Sequence, residues 1–333
     1  MIIRDHWQAC EPSMHVALLC SWLLVLAAIP SAEAQDYPAK PIKLVVPFTA
    51  GSVQDLRARH IGGLLAPRLG QAIVVDNRPG ASGSIGTTVV ARAKPDGYTL
   101  LLCTGSTHAG NAALMPDLAY DPIKDLAPVV RLVTTWGIVA VRPGSSIKTL
   151  QQLVTLAKSK PGTLRYGAGA SYAHILGELL GKRAGVELLY VPYKGDAQVL
   201  ADLMGGHIDL MFSTPLLLVP QIKAGRVRAL GIAGPRRLPA LPDVPTLREV
   251  GIHNCELPAW AGICAPADIP ASVADRLNRE ALAGMMSPKV KAEVEDQGYE
   301  VSSNTTGEFL DFIKVDIDRT AALVRELNIP PEQ

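Results

Sequence analysis

The sequence predicts an α/β protein of two lobes with a ligand cleft between them, and three observations carry that reading. The chain has 333 residues, about the length of two domains. Beyond residue 34, short β-rich apolar runs alternate with stretches of helical spacing. Those alternations form two series, separated near Arg142-Pro143-Gly144 and followed by a helical tail. With 48% hydrophobic and 19% charged residues, the composition is that of a chain that buries a core. Only 5% of residues are aromatic, which argues against a base-stacking surface for nucleic acid.

Residues 1–34 read as a secretory leader. Val16 to Ile29 is almost continuously apolar, short of the roughly 20 residues that cross a bilayer. Ala32-Glu33-Ala34 then supplies a small-x-small pattern, so cleavage is expected after Ala34, with the mature chain in the periplasm. Arg4 lies far from the apolar run, which leaves Met14 as an alternative start and an uncleaved anchor as the alternative fate. Loss of the leader leaves 31 basic and 28 acidic side chains, too mild an excess to imply nucleic acid or an anionic membrane. Three cysteines remain, Cys103, Cys255 and Cys264. An odd number allows one disulfide, with Cys255–Cys264 the local candidate, although burial as small hydrophobes is the preferred reading.

The elements follow in order. Ile42 to Val46 is a strand. Val53, Leu56, Ile61, Leu65 and Leu69 lie near helical spacing and Gly70 ends that helix, whose last turn Pro67 should strain. Ala72 to Val75 reads as a strand, Ser84 to Ala93 as a helix, and Thr99 to Cys103 as a strand. This order implies right-handed crossovers and a mostly parallel sheet. In the second series, helices are expected at 150–159, 173–184, 196–204 and 215–224. Strands are expected at 164–167, 187–191, 208–212 and 227–232. Beyond the proline-rich loop 235–245, helices are expected at 271–286, 288–297 and 306–328. The tail should pack back on the first series. The chain then crosses between lobes near 140–143 and 257–262, giving a leader (1–34), one lobe of 35–142 with 258–333, and a second of 143–257.

In open α/β sheets, ligands sit beyond the carboxyl ends of the strands. Four turns stand there. The first, Phe48-Thr49-Ala50-Gly51-Ser52 with Asp55, opens a helix whose free N–H groups can grip an anion; alternatively Ser52 simply caps it. The others are Thr104 to His108, including Ser106 and Thr107, then Gly167 to Ser171 with Ala168 and Gly169, and then Ser213-Thr214. No phosphate-loop or nucleophile-elbow motif occurs, and the glycines of Gly80 to Gly86 have the wrong spacing for a dinucleotide. His174 and Glu178 could share a metal, but a satisfied helix-face pair is the simpler account. Ser106 with His108 lacks an acidic orienter, so catalysis is a minority reading. No catalytic residue, metal or cofactor is expected.

Several motifs are more specific. They are Y-P-A-K-P-I-K-L-V-V-P-F at 37–48, D-N-R-P-G-A-S-G-S-I-G at 76–86 and K-P-D-G-Y-T-L-L at 94–101. Further along come Y-D-P-I-K-D-L-A-P-V at 120–129, V-P-Y-K-G at 191–195, G-G-H-I-D-L-M-F at 205–212 and A-L-P-D-V-P-T at 240–246. Together they resemble the substrate-binding proteins of tripartite tricarboxylate transporters, also called Bug or TctC-like receptors. The resemblance implies a type II periplasmic-binding-protein fold, a monomer whose two Rossmann-like lobes close by hinge motion on a di- or tricarboxylate or aromatic acid. It implies membrane permease subunits as partners, with a two-component sensor kinase as the alternative. It also implies that Phe48 to Ser52 hold a ligand carboxylate through backbone N–H groups and water, with Asp55 fixing that loop. The turns 104–108, 167–171 and 213–214 would be further pocket segments, and Lys194-Gly195 the second lobe's edge. This chain departs from the pattern in having Ser52 after Gly51, and Val53 and Gln54 in place of small polar residues. Its 166–174 turn is about two residues short. Ser213 stands where Asp is frequent, which suits an acidic or uncharged distal group better than an amine.

Overall fold

The computed structural model describes residues 37–331, within which the chain from Lys40 onward forms one compact unit. The expected leader and its cleavage site lie outside the described residues. Among those described, no helix is long and apolar enough to cross a membrane.

The first βα series forms as its pattern predicts, with β1 at Ile42–Val46, α1 at Val53–Leu69, β2 at Ile73–Asn77, α2 at Ser84–Ala91 and β3 at Thr99–Thr104. β1 is buried at four of its five positions, as a central parallel strand covered on both faces must be. Helix α1 continues through Pro67 to Leu69 and stops at Gly70, whose φ of 67° is the left-handed conformation that ends helices. Two strands that the sequence pattern does not predict follow, β4 (Leu126–Trp136) and β5 (Ile138–Val141).

The second series holds α3 (Leu150–Ser159), β6 (Arg165–Ala168), α4 (Ser171–Ala184), β7 (Leu189–Pro192), α5 (Asp196–Gly205), β8 (Leu210–Ser213), α6 (Pro215–Lys223) and β9 (Arg228–Ile232). The chain returns through β10 (Pro258–Pro266), a third strand that the pattern does not predict. It ends in α7 (Ala271–Met285), α8 (Pro288–Asp296), the two-residue β11 (Glu300–Val301) and α9 (Thr306–Leu327).

These strands make two sheets, ordered β11-β4-β10-β3-β1-β2 and β7-β6-β8-β5-β9. Both are mixed, which corrects the mostly parallel expectation. The βα strands do run parallel, β1 with β2 and β3, and β6 with β7 and β8. The connecting strands do not. β10 is antiparallel to β3 and β4, and β5 is antiparallel to β8 and β9. A chain that crosses to a second lobe and comes back must re-enter the first sheet in the opposite sense. The pairing of Ile138–Val141 sets the first change of sheet at Gly137, a few residues before the 140–143 expected from the sequence. A Cβ on Gly137 would meet the Leu176 side chain at 2.5 Å, so the bare glycine lets α4 seat against the crossing.

Separate apolar clusters hold the lobes. One joins Val45, Leu101, Phe309 and Ile313 in the first. In the second, Val139, Tyr166, Leu176 and Phe212 pack under one face of the sheet, and Val199, Met211 and Leu218 under the other. The tail does more than cover the first lobe. Thr305 caps α9 in a reciprocal box with Glu308. The early turns of α9 join the first lobe's core, while Val324 in its last turns and Ile329 just beyond it join the second's.

The cysteines also differ from expectation. Cys103 of β3 is bonded to Cys264 of β10, and Cys255 is free and buried. Proximity in sequence misled here, because antiparallel pairing of β3 with β10 brings together residues 161 apart.

Candidate functional site

The strand ends of the two sheets face each other across a cleft whose empty space, counting its open mouth, is about 590 Å³. Of the residues singled out in the sequence, Thr104, Ser106, Ser213 and Thr214 line it. So do Gly105 and Ala170, which flank others of that set.

The first turn is built differently from the anion cradle expected of it. Gly51 adopts a φ of 78°, and its N–H donates to Asp55 Oδ2 at 3.0 Å. The Ser52 N–H donates to the Thr49 carbonyl, and Ser52 Oγ accepts from the Asp55 N–H at 3.3 Å. Asn77 Nδ2 donates to the Phe48 carbonyl. Burial pushes the Asp55 carboxyl up, but hydrogen bonds from Arg59, Gly51 and Asn77 outweigh it and hold the group below its ordinary value. The turn thus consumes its own Gly51 and Ser52 donors, and Phe48 belongs to the core. Ser52 is the helix cap, the alternative reading of that residue. The first two amides inside the helix, Val53 and Gln54, are the donors that α-helical geometry leaves without an intrahelical acceptor, and both residues line the cleft.

Arg57 lies one turn further along the same helix face. It is 9% exposed, lines the cleft, and its guanidinium stacks 4.4 Å from the centre of the Tyr299 ring. Among the described residues no carboxylate pairs with it. Across the cleft, Asp196 at the first position of α5 is 8% exposed and accepts from Ser213 Oγ at 3.3 Å. Burial raises its carboxyl to about 6, the Ser213 hydrogen bond offsetting part of the rise. Trp260, Tyr172 and Tyr299 complete the walls. None of these five was singled out from sequence. Arg57 carried a usable signal, since it stands four residues after Val53 on a helix already placed at the site.

The remaining candidates lie around the cleft. Thr107 and His108 are fully buried and turn away from it. His108 Nδ1 meets Thr107 Oγ1, and its Nε2 lies 3.7 Å from Cys264 Sγ. Burial pushes this imidazole down to about 3, so it stays neutral. Ser106 instead faces the cleft and accepts from the Tyr172 N–H, so the two members of the minority catalytic reading point to different places. Cys103, His108 and Cys264 cluster closely enough for a metal, but the two sulfurs are bonded to each other. His174 stacks on Tyr190 at 3.8 Å, and Glu178 accepts from Tyr166 OH at 2.6 Å. Gly86 is pressed against Pro47 and the Arg78 carbonyl, a packing role for the glycine-rich stretch.

Contacts between lobes flank the cleft. Ser171 Oγ donates to Asn111 Oδ1 at 2.8 Å, and Tyr299 OH donates to Thr214 Oγ1 at 3.2 Å. A Cβ on Gly195 would stand 2.4 Å from Thr49 Oγ1, so these residues touch across the gap. Ala168 is core, Gly169 packs on the Gly195–Asp196 peptide, and Lys194 is exposed at the rim.

Comparison with known proteins gives a consistent result. The family model described as the tripartite tricarboxylate transporter family receptor matches residues 57–329. Protein BugT of Bordetella pertussis is 34% identical over 297 residues, 88% of this chain and 91% of its own. Rpa4515 of R. palustris, solved with adipate, superposes with a TM-score of 0.86 at 31% identity, covering 89% of this chain and all of that one. MatC from Rhodopseudomonas palustris, solved with bound malate, gives 0.82 at 31% identity, covering 86% and 100%.

Proposed function

Since the chain belongs to the tripartite tricarboxylate transporter receptor family, we propose that it captures a small carboxylate by hinge closure outside the cytoplasm and delivers it to the permease subunits of such a transporter. The observation that carries the ligand class is Arg57. A guanidinium this buried normally has an acid partner, because an unpaired buried charge is costly. Here the partner position is open cleft, beside the helix-start amides of Val53 and Gln54. Adipate and malate in the related structures belong to the same class.

Closure follows from the same arrangement. The lobes, drawn from sequence as 35–142 with 258–333 against 143–257, pivot where the chain changes sheet, at Gly137 and at the entry to β10. An acid that touches both lobes stabilises the closed form by its differential affinity for it. Export with cleavage after Ala34 places the receptor where a permease meets its solute.

Calorimetry with adipate and malate tests this reading. A charged hydrogen bond contributes about 1.5–3 kcal/mol, so Arg57→Gln should weaken acid binding by roughly 10- to 100-fold with the melting temperature little changed. Equal affinity in the variant counts against it, as does a parent chain that binds neither these diacids nor an amino acid of the same length.

A further inference from the structure

Arg57 and Asp196 face one cleft from opposite lobes, α1 on one side and α5 on the other. They carry opposite charges, yet among the described residues neither makes an ion pair, with the other or with any third group. Between them the walls are largely apolar, including Val53, Ala170, Phe212 and Trp260. A pocket with one unpaired cation and one unpaired anion, separated by hydrocarbon, is complementary to a particular ligand.

We infer that the receptor selects a zwitterion, an acid with an ammonium or similar cationic N–H donor at its far end, whose carboxylate meets Arg57 and whose nitrogen meets Asp196. The inference rests on the carboxylate-capture reading above and narrows it. A diacid of the same length places a second anion against the Asp196 carboxylate, where low dielectric magnifies the repulsion, and it binds only by bringing a proton. A zwitterion leaves no charge in the closed cleft unpaired. Ser213 taken alone suggested an acidic or uncharged distal group. Its hydroxyl is instead committed to Asp196, which presents the carboxylate to the space Ser213 borders.

The two ligand types separate by pH. Burial pushes the Asp196 carboxyl up to about 6. The other ionisable groups lining that space are Arg57, Tyr172 and Tyr299, and Lys194 precedes Asp196 by two residues with its side chain in solvent. An ammonium needs the ionised carboxylate, so its affinity is full above pH 7 and falls as the pH drops through 6. At about pH 5 roughly one-tenth of Asp196 is ionised, a loss of about tenfold relative to pH 8. A diacid shows the opposite slope.

The test is calorimetry on the full chain with 3-aminopropanoate, 4-aminobutanoate and 5-aminopentanoate against succinate, glutarate and adipate, which match them in methylene count. The expected result is at least one amino acid binding tenfold or more tighter than its diacid at pH 8. That preference shrinks by more than tenfold at pH 5 and disappears in Asp196→Asn. Asp196→Ser serves as the second variant should the first fail to melt cooperatively. Diacids binding tighter at pH 8, or a preference that survives both variants, overturns this inference. If acid binding of either kind is still lost in Arg57→Gln, the carboxylate reading stands without it. Binding of neither series overturns both.

Discussion

Asp196 has a cost that can be measured without any ligand. Burial raises its carboxyl from 3.8 to about 6, so the folded state holds a proton more tightly than the unfolded chain does. Stability falls as the pH rises from about 4 through 6, and above that the full penalty of up to about 3 kcal/mol is present. Asp196→Asn cannot ionise. Relative to the parent, it should gain roughly 1–3 kcal/mol in urea unfolding at pH 8, and that gain should vanish near pH 4. An equal difference at both pH values removes the buried carboxylate as its cause. At this scale the sequence was legible in position and illegible in occupancy. The four turns did come to the strand ends, and Thr104, Ser106, Ser213 and Thr214 reached the cleft. What a linear reading lacks is whether a donor is already spent. Gly51 offered an N–H, but Asp55 four residues on takes it, and the open donors begin at Val53.

Among elements, the start of α5 shows how closely the lobes are fitted. Gly195 has an extended backbone with φ of 170°, which any residue adopts, so its lack of a side chain answers to space alone. Adding a methyl group brings it within 2.4 Å of Thr49 Oγ1, while Thr49 Cβ and Cγ2 stand at 3.5 Å, an ordinary contact. Overpacking of this kind costs about 1–3 kcal/mol, and here it falls on the closed arrangement. Gly195→Ala should therefore weaken adipate binding by roughly 5- to 100-fold by calorimetry, and Thr49→Ala in the same chain should restore it. Unchanged affinity, or no rescue, means the Thr49–Gly195 contact is no part of the bound state. The βα elements were legible because each alternates a short apolar run with a capped helical face. The crossing strands were not. β4 carries Pro128, Arg131, Thr134 and Thr135 within its length, so neither a clean alternation nor an apolar run marks it. Its identity comes from β10, more than a hundred residues away.

For the whole molecule, the bond between Cys103 and Cys264 matters most, because everything between those residues includes the entire second sheet and both crossings. The second lobe hangs as a covalently closed loop from two adjacent strands of the first. A loop of 161 residues lies where chain entropy bounds the stabilisation near 5 kcal/mol, with about 2–4 the usual measured range. Both sulfurs are fully buried, so a reductant acts on opened molecules. Cys255 is a poor exchange partner, since burial pushes its thiol up to about 12 and removes the thiolate that attacks a disulfide. Replacing both bonded cysteines with alanine should therefore lower unfolding stability in urea by about 2–4 kcal/mol, and unfolding the parent chain with a reductant present should reproduce the loss. His108 beside Cys264 stays neutral far above about 3, so the deficit should be the same at pH 5 and pH 8. Neither sulfur lines the cleft, so adipate affinity should persist in the double variant. A stability loss below about 1 kcal/mol would mean that the two crossing strands, rather than the covalent bond, hold the second lobe to the first.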